Sequence, residues 1–243
     1  IDIIRDANID TPAVVEDSTT ERIEFTDKIA IKDLYFRFED SQSDTLSNIN
    51  FDIHKGEKIG INGRSGAGKT TLFNLLLGLY APSKGSITID GKELTAENRR
   101  KWQNSIGYVS QSVFLTDSTL IANIALGCKE EDIDMERISR AIEAASLSEF
   151  VNSLPNGIYT RIGECGALLS GGQRQRIGIA RALYKGAEVL FFDEATSSLD
   201  NQTEQSINDA IVSLAEANSA LTIVVIAHRD SSLAYCDRVI TLE

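Results

Sequence analysis

Apolar residues occur in this chain mainly as short runs bounded by turn residues. The segments IAIKDLYFRF (29–38) and TLSNINFDI (45–53) alternate partly between apolar and polar positions, so they predict paired antiparallel strands. The segments EVLFFD (188–193) and LTIVVIAH (221–228) are almost wholly apolar, which is typical of strands covered on both faces of a parallel sheet. We therefore expect an antiparallel sheet first and a parallel sheet further along the chain.

Helical periodicity appears between these predicted strands. The strand KIGING (58–63) runs into a glycine-rich loop and then into the apolar helix KTTLFNLLLGLY (69–80). The segment 134–151 is the clearest amphipathic helix. Its apolar face comprises Ile138, Ala141, Ile142 and Ala145. The order of elements indicates an α/β fold with an N-terminal antiparallel β subdomain, a mainly parallel sheet and an inserted α-helical subdomain at about 112–170.

The first 24 residues differ from the rest of the chain. They are acidic and contain Pro12 beside a Ser-Thr-Thr cluster, which predicts a linker before a folded domain at 25–243. The chain starts at Ile1 and lacks the features of a signal peptide, so we expect a fragment of a longer protein. No apolar run approaches the roughly 20 residues needed to cross a bilayer, so we expect the fragment itself to be soluble.

The charge and the cysteines exclude several classes of function. The net charge is −12, which disfavours sequence-independent nucleic-acid binding because such binding relies on clustered Lys and Arg. Cys128, Cys165 and Cys236 are far apart and form no C-x-x-C pair, so neither a metal site nor a disulfide framework is indicated. We expect reduced thiols.

The glycine-rich loop matches the phosphate-binding motif G-x-x-x-x-G-K-[ST] between a strand and a helix. Backbone N–H groups of such a loop converge on phosphate oxygens, Lys69 bridges the outer phosphates and the Thr70 hydroxyl is a ligand for Mg²⁺. A glycine-rich turn without a ligand is disfavoured by the lysine, the threonine and the context together. We therefore predict a P-loop NTPase core. The predicted loop residues are Gly63, Arg64, Ser65, Gly66, Ala67, Gly68, Lys69, Thr70 and Thr71.

Two acidic residues end the apolar strand at 189–192. The carboxyl edge of a parallel sheet is where ligands bind, so Asp193 is placed to hold Mg²⁺. Glu194 is one residue further and is placed to polarise a water that attacks the γ-phosphate. A solvated strand end is the alternative, and the neighbouring phosphate loop argues against it.

The segment ALLSGGQRQRIGIARAL (167–183) predicts a helix that begins after Ser170. The pair Gly171-Gly172 is not needed for capping, and it indicates a turn where a large group approaches bare N–H groups. The sequence LSGGQ, together with the phosphate loop and the acidic strand end, resembles the signature of ATP-binding cassette (ABC) proteins. This resemblance covers nearly everything from about residue 24 to the end of the chain.

The resemblance implies a composite ATP site. In ABC proteins, the signature of one copy caps the γ-phosphate that the phosphate loop of a second copy holds. It therefore implies that Ser170, Gly171, Gly172 and Gln173 contact ATP bound by a partner copy, and that two ATP and Mg²⁺ lie between two domains. It also implies that Asp200, in SSLD (197–200), lies along the dimer seam.

Three further positions resemble functional residues of the family. Gln111, in GYVSQ, resembles the glutamine that contacts Mg²⁺ or the attacking water, and an exposed polar loop residue is its alternative. His228 resembles the histidine that contacts the γ-phosphate. Phe38 falls where the family has an aromatic residue that stacks on adenine; an ordinary core phenylalanine is equally consistent, and Tyr35 and Phe36 compete for the role.

Two segments, QSVFLTDSTLIANIALG (111–127) and IGECGALLSGGQ (162–173), resemble exporter-type transporters. Cys165 and Asp230 depart from the exporter pattern, which puts local contacts with a membrane domain in doubt. The resemblance extends to bacterial transporters that flip lipid-linked saccharides. It implies a homodimer at the cytoplasmic face of a bacterial inner membrane, attached to a transmembrane domain of the same polypeptide, with no nucleic-acid partner.

Two other functions stay open from sequence. A soluble ABC ATPase acting on DNA or ribosomes usually has long coiled coils or two cassettes per chain, and this sequence has neither. A nonenzymatic nucleotide-binding module requires ATP binding without phosphate release. The cargo and the direction of transport are not encoded in the motifs of an ATPase domain.

Overall fold

The computed structural model describes residues 21–163, 169–197, 199–227 and 229–242. The strands are β1 Lys28–Phe36, β2 Leu46–His54, β3 Lys58–Gly63, β4 Lys84–Ile89, β5 Lys92–Glu93, β6 Ile106–Ser110, β7 Val189–Asp193, β8 Thr222–Ile226 and β9 Arg238–Leu242. The helices are α1 Lys69–Leu76, α2 Arg99–Ser105, α3 Leu120–Ile124, α4 Met135–Ala144, α5 Ser148–Ser153, α6 Gly171–Lys185, α7 Asn201–Ala217 and α8 Asp230–Leu233. Two single 3₁₀ turns lie at Glu130–Asp132 and Gly157–Tyr159.

The first sheet is antiparallel, as the alternating segments predict. Its strand order is β2-β1-β4-β5, and β1 pairs with both β2 and β4. One face buries aliphatic side chains such as Ile29, Ile31 and Ile53, and Ala30 between the first two is buried as well. The turn between β4 and β5 is fixed by Asp90, whose carboxylate accepts hydrogen bonds from the backbone N–H groups of Thr26 and Lys28.

The second sheet is wholly parallel, with the order β6-β7-β8-β3-β9. Strand β7 is apolar from Val189 to Phe192 because both of its faces are covered, and successive side chains of a strand point to opposite faces. Val189 and Phe191 enter a core shared with α1, α2 and the antiparallel sheet, whereas Leu190 and Phe192 enter a core shared with α6 and α7. The sheet therefore lies between α1 on one face and α6 on the other.

Short helices occupy most of the predicted insertion at 112–170. Helices α3, α4 and α5 lie there, and α3 and α4 both pack against α6. The single amphipathic helix predicted at 134–151 is wrong in extent, because the chain turns at Ser146 with φ of 54° and forms α4 and α5 instead. The predicted apolar face is nevertheless buried, including Ile138 and Ala141. The α/β architecture with an antiparallel subdomain and a helical insertion is thus confirmed. Within the described residues, every helix is too short or too polar to span a bilayer.

A buried tryptophan of α2 binds the C-terminal end of α1, the helix that follows the phosphate loop. The Trp102 indole N–H donates to the Leu76 carbonyl oxygen at 2.7 Å, and Phe25 contacts the indole edge to face with ring centroids 6.2 Å apart. The carbonyls of the last turn of a helix have no partner within the helix, so the indole satisfies one that is buried. Trp102 thereby joins α2 to the C-terminal end of α1.

Replacing this indole should destabilise the domain. We expect Trp102→Phe to lower the free energy of unfolding by about 2 to 4 kcal/mol, because it removes a buried donor and leaves a cavity. Chemical denaturation monitored by circular dichroism measures the change. Phe114→Leu, at an aromatic residue that is 69% exposed, is the control and should change stability little. Equal stability of the two variants would contradict the assigned role.

Candidate nucleotide-binding site

The phosphate loop joins β3 to α1 through glycines in the left-handed region. Gly66 and Gly68 have φ of 84° and 87°, which other residues adopt only with strain. A Cβ on Gly68 would also lie 2.7 Å from Leu46 Cδ2, so the loop is pressed against the start of β2. This backbone path brings the chain from the carboxyl end of β3 directly into the N-terminus of α1, where N–H groups without helical partners favour an anion.

Lys69 is fixed inside this loop. Its ammonium donates to the carbonyl oxygens of Gly63 at 2.8 Å and Arg64 at 3.0 Å, and the residue is only 6% exposed. An ammonium has three donors, so the contacts within the described residues leave one for a phosphate oxygen. Thr70, the next residue, is exposed at the start of α1. The two residues predicted to hold phosphate and Mg²⁺ thus lie at the same helix start.

Asp193 ends β7 and is buried except for 8% of its surface. The Tyr108 hydroxyl, on the neighbouring strand β6, donates to Asp193 Oδ2 at 3.1 Å. Burial raises the pKa of Asp193 above its ordinary value; the Tyr108 hydrogen bond opposes this shift, the Glu194 charge adds to it and the Lys69 charge opposes it. Burial and the Asp193 charge raise the pKa of Tyr108, so the phenol stays protonated and acts as a donor.

Glu194 has an unusual backbone conformation. Its φ is +50°, in the left-handed region, and its N–H donates to the Ile226 carbonyl oxygen at the end of β8 at 3.0 Å. A non-glycine residue in this region costs of order 1 kcal/mol, and such strain is typical of functional sites. The conformation turns the chain directly after Asp193, at the carboxyl edge of the sheet.

Gln111 is linked to both the acidic edge and α6. Its side-chain amide donates to Ser197 Oγ at 3.0 Å, three residues after Glu194. The buried Gln175 of α6 donates to the backbone carbonyl oxygens of Ser110 and Gln111 at 3.1 and 2.8 Å. The backbone at Gln111, just after β6, is therefore held by α6. Sequence analysis missed Gln175, although a polar residue at a buried helical position signals such a role.

The predicted helix start at Ser170 is confirmed in detail. Ser170 Oγ accepts the Gln173 N–H and the Gln173 side chain accepts the Ser170 N–H, which is a complete capping box. The two glycines have a packing role that the sequence argument did not foresee. A Cβ on Gly171 would lie 2.6 Å from Leu199 Cδ2, and one on Gly172 would lie 2.5 Å from Thr203 Cγ2. The glycines let the signature contact the start of α7 in the same chain.

Asp200 forms that start of α7. One carboxylate oxygen accepts the N–H groups of Gln202 and Thr203, and the other accepts the Thr203 hydroxyl at 2.6 Å. Asp200 is thus an N-cap residue, which is a structural role that the sequence argument did not assign. The signature and the start of α7 form one unit, and the phosphate loop and the acidic strand end form another.

These two units lie on different sides of the central sheet. Helix α6 returns the chain from β6 to the parallel strand β7, so its N-terminus lies at the same carboxyl edge as the N-terminus of α1. The helices nevertheless pack on opposite faces. The strand β3 that carries the loop is three strand spacings from β6, or about 14 Å. The N-termini of α1 and α6 therefore face the same edge of the sheet, but they lie apart on its two faces.

An aromatic cluster lies beyond the end of β1. Phe38 is 43% exposed, whereas Phe36 is buried and stacks on Tyr80 with ring centroids 5.4 Å apart and an interplanar angle of 10°. The Phe38 ring contacts Phe36 and Tyr80 edge to face at 4.9 and 5.9 Å. Phe38 is therefore not a core residue, and it and Tyr80, which is 41% exposed, are the rings of this cluster that a base could reach. Tyr80, which supports it, was missed because it lies more than 40 residues away.

A buried acidic residue anchors the segment before β9. Glu204 of α7 is 3% exposed and accepts hydrogen bonds from Ser231 and Ser232 at 2.8 Å and from the Arg229 guanidinium. Sequence analysis missed Glu204 because its partners lie more than 20 residues away. The predicted γ-phosphate contact His228 and the divergent Cys165 lie outside the described residues. Cys128 and Cys236 are free thiols, as expected.

The residues at the carboxyl edge suit Mg²⁺ with ATP. Mg²⁺ prefers oxygen ligands and is commonly held by one carboxylate together with substrate phosphates. Asp193, Thr70 and Gln111 supply oxygen atoms of this kind. Within the described residues, no group of three or more His, Cys, Asp or Glu side chains could hold a metal alone. The donor set therefore fits an ion that arrives with the nucleotide.

Comparisons with known proteins show which family this chain is similar to. A family model described as "ABC transporter" matches residues 46–197. Two proteins named ATP-dependent lipid A-core flippase are similar to this chain. The protein of Ralstonia nicotianae is 40% identical over 236 residues, which cover 97% of this chain and 39% of that protein. The protein of Francisella novicida is 42% identical over 238 residues, which cover 97% of this chain and 39% of that protein. The solved structure of a bacterial Atm1-family ABC exporter with ATP bound has a TM-score of 0.81 at 33% identity, covering 93% of this chain and 39% of that one.

The Glu204 network should make stability depend on pH. Burial raises the pKa of Glu204, but the hydrogen bonds from Ser231, Ser232 and Arg229 together lower it below its ordinary value of 4.5. A lowered pKa in the folded state gives stability that is present above pH 4.5 and lost as the pH falls through the folded value. At pH 7 we expect Glu204→Gln to reduce the free energy of unfolding by about 1 to 3 kcal/mol.

Urea denaturation of both proteins between pH 7 and pH 3 checks this. The difference between wild type and Glu204→Gln should shrink below about pH 4.5. The control is Glu216→Gln, at an exposed position of the same helix. A constant difference at every pH would refute the assignment to the Glu204 charge.

Proposed function

The chain is an ATPase domain of the ABC transporter family, and from that premise we propose that two copies close head to tail around two ATP molecules. Each ATP would be held by the phosphate loop of one copy and capped by the signature of the other. Closure on binding and reopening after hydrolysis would supply the mechanical work of a membrane exporter.

The observation that carries this proposal is the position of the two helix starts. Both α1 and α6 present N–H groups at the carboxyl edge of the sheet, and both are suited to an anion. They pack on opposite faces of one sheet, so they do not enclose one phosphate within a single chain. A second copy turned by a two-fold axis brings the α6 start of each chain to the α1 start of the other.

The residues of the site divide the chemistry between the two copies. We propose that Lys69 and the loop N–H groups bind the phosphates, while Glu194 accepts a proton from the attacking water. Mg²⁺, held by Thr70 and Asp193, would neutralise charge that develops on the phosphate oxygens. Gln111 would orient the water or the ion, and its bonds to Ser197 and Gln175 tie that position to the signature helix.

The cap from the second copy would come from Ser170, Gly171, Gly172 and Gln173. Ser170 is exposed at the start of α6, where its hydroxyl accepts one N–H and has a proton to donate to a phosphate oxygen. We also propose that Phe38 stacks on the adenine ring. Stacking of a base on an aromatic side chain contributes about 1 to 3 kcal/mol.

The wider protein is proposed from its relatives. The chain spans about two fifths of the length of the relatives that it matches, and those relatives are named for flipping a lipid. We propose that a transmembrane domain lies in the same polypeptide, that the ATPase domain works at the cytoplasmic face of a bacterial inner membrane, and that the cargo is a lipid or a lipid-linked saccharide. The acidic segment 1–24 would be the connecting linker.

The sharpest test of the proposed chemistry is Glu194→Gln. The amide cannot accept the water proton, so we expect ATP hydrolysis to fall at least about 100-fold while ATP binding persists. Because bound ATP is no longer consumed, we also expect the variant to form a dimer when Mg²⁺ and ATP are added. Phosphate release and size-exclusion chromatography with light scattering measure the two effects.

The control for this experiment is Glu143→Gln, at an exposed position of α4. It should hydrolyse ATP as wild type does and remain in monomer–dimer exchange. Undiminished hydrolysis by Glu194→Gln would remove Glu194 from the proposed chemistry. A wild-type domain that binds ATP and never releases phosphate would favour a nonenzymatic module.

A further inference from the structure

Tyr108 has an exposed position that core packing does not explain. It lies on β6, the edge strand of the parallel sheet, and 44% of its surface is exposed. Its neighbours in the strand, Ile106 and Val109, are buried apolar residues. The Tyr108 hydroxyl instead makes a specific polar contact, a hydrogen bond that it donates to Asp193 Oδ2 at 3.1 Å.

The register shows that the phenol reaches along the sheet. Tyr108 is paired with Phe191, and the strand partner of Asp193 is Ser110, two residues further on. Residues two apart in a strand share a face, so Tyr108, Phe191 and Asp193 all lie on the face that carries α1. The hydroxyl thus contacts the carboxylate from the same side as the phosphate loop.

Two other polar side chains beyond the end of β6 are engaged elsewhere. Ser110 Oγ donates to the Ser112 carbonyl oxygen at 2.8 Å, and the Gln111 amide donates to Ser197. A carboxylate rotates easily about its last bond, because that torsion has broad minima. A donor held at Oδ2 selects one orientation of the Asp193 carboxylate. In this orientation the Oδ1 atom points away from the phenol.

We propose that Tyr108 is a positioning residue that orients Asp193 for the Mg²⁺ that accompanies ATP. The inference rests on the proposed function of Asp193, and it concerns the affinity of the site for the ion. Partners that orient a metal ligand raise metal affinity, and their loss typically costs about 10- to 100-fold. The opposite role, in which the phenol blocks the carboxylate and must leave before the ion binds, predicts changes of the opposite sign.

The test is Tyr108→Phe, which removes the hydroxyl and keeps the ring. We expect the Mg²⁺ concentration for half-maximal ATPase activity to rise about tenfold, while the rate at saturating Mg²⁺ stays within about threefold of wild type. A purely structural role would change both quantities together or neither. The control is Tyr159→Phe, which removes a phenol hydroxyl from an exposed position outside the site.

Ion binding is then measured without turnover. Mn²⁺ is titrated into the Glu194→Gln protein with ATP present, with and without Tyr108→Phe, and free Mn²⁺ is followed by electron paramagnetic resonance. We expect Mn²⁺ binding to weaken about tenfold with Tyr108→Phe and not with Tyr159→Phe. Thermal unfolding of each variant confirms that the comparison is between folded proteins.

Each outcome has a distinct meaning. Unchanged Mn²⁺ and Mg²⁺ dependence in Tyr108→Phe, with normal activity in wild type, overturns the inference and leaves the proposed function intact. Tighter binding also overturns it and favours the blocking role. A wild-type protein that neither hydrolyses ATP nor binds Mn²⁺ with ATP overturns the proposed function, and this inference fails with it.

Discussion

The central constraint on this molecule is a parallel sheet that separates two helices whose N-termini are both suited to an anion. A parallel sheet must be covered on both faces, because its strands are apolar throughout. Here α1 covers one face and α6 covers the other. Each helix starts at the carboxyl edge of the sheet, and neither can cross the sheet to reach the other. Under the proposed function, the architecture that stabilises the domain also divides the phosphate site between two copies.

The carboxyl edge of the sheet shows how packing and chemistry are combined. Asp193 is buried by the strands beside it, and the resulting rise in its pKa is opposed by the Tyr108 hydrogen bond and the Lys69 charge. Glu194 follows in a strained conformation that the β8 carbonyl of Ile226 stabilises. The strain is consistent with a site in which adjacent acidic residues have different tasks.

The signature packs closely against the start of α7. Positions 171 and 172 favour glycine because Leu199 and Thr203 occupy the space that a side chain would need. Asp200 caps α7 and holds Thr203 at this contact.

Sequence reasoning predicted what is local and missed what depends on distant contacts. The antiparallel pair, the apolar strands, the phosphate loop and the helix start at Ser170 all follow from short patterns. The Tyr108 contact with Asp193 joins residues 85 positions apart, so neither strand alone reveals it. The same holds for Tyr80 beneath Phe38. The packing reason for the two glycines also depends on α7, so the sequence could only suggest a ligand.

A mixing experiment tests the divided site most directly. Lys69→Ala disables the phosphate loop and Ser170→Arg fills the signature, so each variant alone should be almost inactive. In a head-to-tail pair of the two, one site keeps both an intact loop and an intact signature, so an equal mixture should recover about a quarter of wild-type ATPase activity. A mixture no more active than the separate variants, or full activity in Ser170→Arg alone, would show that each chain holds its own complete site.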